Sequence, residues 1–249
     1  MGNLFDIAIY NPIYNLLIFI YNIIPDFGVA IILVTVFIKF LLIPLSKKQI
    51  ESQKKMQELQ PKIKEIQAKH KNDKEKQSRA MMELYKESKS NPFSGCLPMI
   101  VQLVFLIAIY RVLFNISEAG LIVSSADLYA FIQNPGQINK MFLGMVDLSS
   151  AINFSEIGLS SLPHIILVIL AAGAQFLQTK MMMAKQVMIP SKAGETDFAQ
   201  IMSKQMLFLG PIMTLFIGIK FPAGLALYWL VSTGFMLIQQ KQMEKNEKA

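Results

Sequence analysis

The chain has 249 residues, 53% of them hydrophobic and 16% charged, with a mean hydropathy of +0.42. That balance is too apolar for an ordinary soluble domain and predicts an integral membrane protein. The net charge of +7 does not indicate nucleic acid, because 20 of the 24 Lys and Arg fall in three segments: residues 46–95, 180–204 and the tail after Ile238. The positive-inside rule assigns these segments to the cytoplasm, with the amino terminus outside and the carboxyl terminus inside, which requires an odd number of spans. The predicted fold is all-α: five transmembrane helices, a cytoplasmic antiparallel helical hairpin and an N-terminal interfacial helix.

Residues 1–27 form the expected outer-leaflet segment. The first 38 residues contain no Lys or Arg to form an n-region, so no cleavable signal peptide is expected. Asn11-Pro12 reads as an N-cap and first helical position, and Pro25 stops the helix. A helix this short does not span the membrane and is expected to lie on the outer leaflet, with Tyr10, Tyr14 and Tyr21 at headgroup depth. A sixth span is the alternative, but it breaks the odd count.

Residues 28–45 are the first expected span, and Lys39 interrupts it with no acid within helical reach. A cation near the centre of a bilayer helix costs about 2.5–3.5 kcal/mol on insertion scales, so such a residue ordinarily faces a watery cavity and has a task. The other reading is that its four-carbon stem lifts the ammonium to the interface.

Residues 46–95 are polar, with 13 basic and 7 acidic side chains. Met56, Leu59, Ile63 and Ile66 follow the spacing of a coiled-coil seam, and Met81, Leu84 and Tyr85 supply a second set after the Lys71-Asn72-Asp73 turn. A hairpin is expected, with Pro61 kinking its first arm; a solvated charged linker is the plainer reading. Its basic excess suits anionic lipid headgroups or ribosomal RNA.

The second span is expected at 96–114, with the lone Cys96 as a packing residue at the helix start and Arg111 snorkelling near the other end. A single cysteine excludes an internal disulfide. An acidic outer loop follows at 115–161, turning at Asn134-Pro135-Gly136, then the third span at 162–180. The cytoplasmic loop 181–203 opens with Met181–Met183, either an adaptable apolar surface or the end of a helix. The last spans are expected at 204–219 and 221–240, before a tail at 241–249. Several of these runs are shorter than the ~20 residues that match a full hydrocarbon core, which suits a locally thin bilayer.

The residues give little support for covalent catalysis. No paired carboxylates stand in the spans, no Cys/His metal spacing occurs, and HExxH and GxSxG are absent. His70 and His164 fall at opposite ends of the expected topology. No cofactor and no enzymatic activity are expected. The spans instead carry scattered polar residues: Thr35 and Lys39 one turn apart, Gln102, Gln175, Gln178, Thr214, Trp229, Ser232 and Thr233. These can line one wet surface or serve singly as interhelical glue.

Several motifs fall in order along the chain: Ile38-Lys39-Phe-Leu-Leu-Ile-Pro44-Leu-Ser-Lys-Lys-Gln49, Leu59-Gln-Pro61-Lys-Ile, Met82-Glu-Leu-Tyr85-Lys, Asn91-Pro92-Phe-Ser-Gly95-Cys96-Leu-Pro98-Met-Ile-Val-Gln102 and Phe221-Pro222-Ala-Gly224-Leu-Ala-Leu-Tyr228-Trp229-Leu-Val-Ser232. Together they closely resemble the YidC membrane insertase family. The resemblance implies a five-helix core around a hydrophilic groove open to the cytosol and to lipid but closed to the outside. It implies a membrane protein insertase and chaperone, whose Lys39 occupies the position of the groove's cation. Gln102, Gln178 and Trp229 match groove-lining positions, and Thr35 and Ser232 join them as substrate-binding candidates. Most family members carry arginine where this chain has Lys39; lysine keeps the charge but loses the five-donor fork.

The implied partners are nascent membrane proteins, the ribosome through weak cytoplasmic contacts, anionic lipids and the Sec translocon. The implied location is a bacterial plasma membrane, in a Gram-positive-like lineage, since neither a large outer domain nor a lipoprotein signal is read in the sequence. Two other classes make different predictions. A small transporter using Lys39 as a counter-ion calls for internal repeats, and none is seen. A structural assembly factor would work through the hairpin and Met-rich loop, and would not need Lys39.

Overall fold

The computed structural model describes residues 4–71, 73–88, 97–153, 158–183 and 198–246. The expectations placed on Cys96, on the Asn91–Gly95 motif and on 184–197 of the cytoplasmic loop lie outside the described residues, as do 247–249 of the tail.

The first helix, α1 (Asn11–Ile23), continues from a π-helical turn at Asp6–Tyr10, in which the Asn11 N–H reaches back to Asp6 O. Asn11 is therefore helical (φ −60°, ψ −46°) and not the expected N-cap. Pro12 explains the wide turn: it has no N–H to give residue 8, and its ring excludes a close carbonyl there. The helix ends where expected, with Ile24 forced into extended backbone (φ −125°, ψ 101°) by Pro25.

Asp26 caps α2 (Phe27–Leu41), its Oδ1 accepting from the Val29 N–H at 3.0 Å. The helix breaks at Leu42 (φ −88°, ψ 0°) and the chain bends by 64° into α3 (Ile43–Lys69). The break falls three residues before the expected limit at Leu45. Pro44 cannot donate to Phe40 O and sits instead in the first turn of α3. Pro61 stands inside α3, which runs through it. Asp73 caps α4 (Lys74–Glu87). Leu59, Ile63 and Leu84 bury one another between α3 and α4, backed by Ile66, Met81 and Tyr85; Met56 stands outside this cluster.

The remaining helices are α5 (Leu97–Glu118), α6 (Leu162–Met183), α7 (Phe198–Lys220) and α8 (Ala223–Asn246). Each extends past its expected limits at one or both ends, and the Met181–Met183 run belongs to α6. Among the described residues, two stretches are long and apolar enough to cross a bilayer alone, Ile100–Glu118 and Leu162–Met182, and the bent pair α2–α3 can supply a third. The apolar part of α7 is shorter, Leu207–Lys220. Ser232, Thr233, Gln239 and Gln240 interrupt the apolar run of α8, and all four are buried.

The core joins α1, α2, α5 and α8. Leu17, Ile18, Ala30, Ile31, Val34, Ala108, Ile109 and Val112 are fully enclosed, and Ala223 to Tyr228 pack against them. α8 also packs on α6 and α7. At helical spacing, α5, α6 and α7 leave Leu103, Ile107, Ile166, Leu170, Leu209 and Phe216 exposed, the pattern of a lipid-facing surface.

The long connection from α5 to α6 is ordered by hydrogen bonds to the helices. Its hairpin pairs β1 (Met141–Phe142) with β2 (Val146–Asp147), and the Leu143 N–H donates to Asp26 Oδ2 at 2.9 Å. Phe142 covers Gly28 so closely that a Cβ there would lie 2.2 Å from the ring. Further along, Leu148 O and Ser150 O accept from the Gly224 and Ala223 N–H groups at 3.1 and 3.0 Å, satisfying donors left open at the start of α8.

The same connection changes the role of the three N-terminal tyrosines. Tyr10, Tyr14 and Tyr21 are buried in contact with the rest of the chain. Tyr14 OH receives the Ser124 N–H at 3.1 Å, Tyr21 OH the Asn139 N–H at 2.8 Å, and Tyr10 OH the Asn115 amide at 2.9 Å. Arg111 likewise does not snorkel free. It pairs with Asp6 at 2.6 Å and lies over the Tyr10 ring, 4.8 Å from its centroid.

Candidate functional site

Lys39 comes near the C-terminal end of α2, and its residue is only 9% exposed. Its Nζ donates to Gln102 Oε1 of α5 at 3.0 Å. No ion pair to Lys39 is found among the described residues. Among the described residues its hydrogen-bond partner is thus a neutral amide, which does not cancel its charge. A buried cation without a counter-ion is costly unless hydrogen-bonded, so this contact has structural weight.

Gln102 is the hub of the cluster. Its Oε1 also accepts from Ser232 Oγ at 3.0 Å, and its Nε2 donates to Tyr228 OH at 3.2 Å. Ser232 and Tyr228 lie one turn apart on α8 and are 1% and 2% exposed. Lysine can only donate, so the amide must turn its oxygen to Lys39 and its nitrogen to Tyr228. Three helices separated widely in the chain therefore meet at one amide.

A second polar cluster occupies the adjoining face of α8. Trp229 Nε1 donates to Gln175 Oε1 of α6 at 3.0 Å, and Thr233 Oγ1 approaches the same oxygen at 3.5 Å. Thr179 turns back on its own helix, donating to Gln175 O at 2.9 Å. Each residue of this pair on α8 follows one from the first cluster, so about 100° of helix rotation separates the two sets.

Of the six residues expected to line one groove, Lys39, Gln102 and Ser232 are brought together. Trp229 belongs to the second cluster. Thr35 is enclosed one turn from Lys39, but its hydroxyl donates to Ile31 O at 2.6 Å within α2. Gln178 is half-buried, and no hydrogen bond of its side chain is found among the described residues. Tyr228 was not among the expected site residues; its signal was the four-residue spacing to Ser232. Gln175 stood in the polar scatter, yet it and not Gln178 receives the Trp229 indole.

On the α3 side, a shallow cleft is lined by Ile50, Lys54, Gln57, Met181, Met182, Gln240 and Glu244. The Gln57 amide donates to Met182 O there, so the polar helix α3 rests on the end of α6. Nearby Gln49 and Gln239 are buried, and Gln239 Nε2 reaches Ile43 O at 3.4 Å.

Comparison with known proteins adds a separate line. The chain matches the family described as 60Kd inner membrane protein over residues 19–249. It is 35% identical over 236 residues to a protein of Fusobacterium nucleatum named membrane protein insertase YidC, covering 93% of this chain and 95% of that protein. Proteins of the same name from Streptomyces avermitilis and Shewanella halifaxensis are 34% and 36% identical, over 88% and 92% of this chain. The matched region is only 51% and 35% of those two longer proteins.

Proposed function

The chain belongs to the YidC family of membrane protein insertases, and from that premise we propose that it inserts membrane proteins and helps them fold, without enzymatic chemistry. The working surface is a hydrophilic groove open to the cytosol and to lipid, floored by Lys39, Gln102 and Ser232 and flanked by Trp229, Thr35 and Gln178. Five spans, built on α2, α5, α6, α7 and α8, enclose it, with the amino terminus outside and the carboxyl terminus in the cytoplasm of a bacterial cell.

The observation that carries this reading is the buried, un-neutralised Lys39. A client helix must draw a polar tail across hydrocarbon, and a fixed cation partway along that path attracts acidic residues of the tail. The attraction grows as the surroundings exclude water. An opening to lipid then lets the apolar client helix leave sideways, driven by its own burial. The α3–α4 arm, with its basic excess, is suited to anionic headgroups and to weak, salt-sensitive contact with the ribosome. Work beside the Sec translocon is part of the same proposal.

The test is insertion of a single-span client with an acidic N-terminal tail into vesicles holding Lys39, Lys39→Arg, Lys39→Ala or Lys39→Glu protein at equal levels. Arg retaining activity while Ala and Glu lose it supports the reading. Equal insertion by all four removes Lys39 from the mechanism.

A further inference from the structure

We propose that Gln102 is the resting occupant of a carboxylate subsite, holding Lys39 with a neutral amide oxygen that an acidic client side chain displaces. This rests on the insertase reading above and deepens it.

The geometry begins with convergence. Lys39 Nζ and Ser232 Oγ both donate to Gln102 Oε1, each at 3.0 Å. Two donors on one oxygen, one of them cationic, form an arrangement that a carboxylate oxygen satisfies at least as well as an amide oxygen. Hydrogen bonds gain strength when the acceptor is charged, so a carboxylate has the advantage over Gln102 while an amide or hydroxyl has none. The subsite lies low in the helix packing, where charge is weakly screened: Ser232 is 1% exposed and Lys39 9%.

The choice of glutamine is what makes displacement workable. A leucine at 102 would leave Lys39 buried without its recorded acceptor. A glutamate would neutralise Lys39 from within, and a client acid would then gain nothing by arriving. Glutamine lies between these extremes, giving the cation one hydrogen-bond acceptor and leaving its charge unspent. Tyr228 helps by accepting the amide N–H at 3.2 Å, which holds the oxygen toward Lys39 at rest. Gln102 is thus a positioning and selectivity residue, setting how strongly acid is preferred over amide.

The test uses the full chain reconstituted in vesicles and two matched clients, one with an acidic N-terminal tail and one with each tail Asp or Glu changed to Asn or Gln. The readout is the ratio of acidic-tail to amide-tail insertion. Gln102→Glu is expected to lower that ratio about tenfold or more, whereas Gln102→Leu keeps it at or above the wild-type value. An unchanged ratio in Gln102→Glu, or a collapsed ratio in Gln102→Leu, overturns the proposal. If Gln102→Glu does not fold, Gln102→Leu decides alone. Lys39→Ala is run in parallel: if it leaves the wild-type preference for acid intact, the insertase role of Lys39 fails; if it abolishes the preference while the Gln102 variants do not shift it, only the Gln102 proposal fails.

Discussion

Phe142 fills the space that a side chain at Gly28 would need: a methyl group on residue 28 would stand 2.2 Å from Cδ2 of the ring. The contact ties the β-hairpin to the first turn of α2, beside the hydrogen bond from Leu143 to Asp26. Gly28→Ala is expected to destabilise the protein by about 1–3 kcal/mol, the usual range for overpacking. Thermal unfolding in detergent measures it. Adding Phe142→Ala should recover part of the loss, giving a coupling between the two sites well above the roughly 0.3–0.5 kcal/mol expected of independent positions. Strict additivity would show that the hairpin does not rest on α2.

Arg111 is held by charge and by shape. Its guanidinium meets Asp6 at 2.6 Å and lies over Tyr10 and Phe5 at 4.8 and 5.5 Å from their centroids. The Arg111 side chain is 41% exposed, so solvent screening discounts the ion pair. Arg111→Lys keeps the charge but loses the planar stack, and about 0.5–1 kcal/mol is expected to go with it. For a chain of this size that is a fall of roughly 1–4 °C in melting temperature. A larger fall in Asp6→Asn than in Arg111→Lys would assign the greater part to charge.

Asp147 gives the hairpin a pH dependence. Partial burial raises its carboxyl pKa, but hydrogen bonds from Lys140 and from the side chain and backbone of Ser149, with the Lys140 charge, outweigh this and hold it below the usual range. A carboxylate depressed in the folded state stabilises it fully above the unfolded pKa of about 3.9, and the contribution disappears as pH falls through the lower folded value. Protection of the amides across residues 140–150, measured against the intrinsic exchange rate at each pH, should therefore decline as the pH falls below about 3.9 in the wild type. Asp147→Asn should show no such step, and a step of equal size in both would reassign the titration.

The seat of α3 on α6 is open to direct chemical test. Gln57 donates to the backbone of Met182, so cysteines at these two positions in a Cys96→Ser background should be joined efficiently by a short cross-linker. Gln57→Cys with Cys at 177 is the control, because Leu177 is exposed and lies more than one turn back along α6. Equal yields from both pairs would mean that α3 does not rest at the end of α6.

The sequence made some features plain and others invisible, for physical reasons. Helices α5 and α6 were legible because each is an apolar run long enough to outlast local irregularity. The break at Leu42 was misplaced by three residues because Pro44 can join the first turn of the following helix as easily as it ends the preceding one. The hydrogen bonds of Tyr10, Tyr14 and Tyr21 were invisible because their partners, Asn115, Ser124 and Asn139, are about a hundred residues away and carry no local signature. Arg111 was left to snorkel for the same reason: Asp6 is 105 positions distant. Lys39, Gln102 and Ser232 were identifiable one by one as polar residues in apolar helices, but only packing shows that a single amide joins them. Gln175 and Gln178 are three positions apart and differ by about 60° around the helix; which of them meets Trp229 depends on how α6 lies against α8.

Placing Tyr228, Trp229, Ser232 and Thr233 all on α8 also has a consequence in time. Synthesis runs from the amino end, so Lys39 and Gln102 exist long before the helix that completes their surroundings. A half-made chain holds the cation and its amide without the hydroxyls that orient them, and Gln175 without its indole. Both polar clusters need α8, whose first N–H groups, those of Ala223 and Gly224, meet the carbonyls of Ser150 and Leu148. Neither cluster can be complete before α8 is made and packed, so an unfinished copy carries the polar residues of both without the contacts that join them.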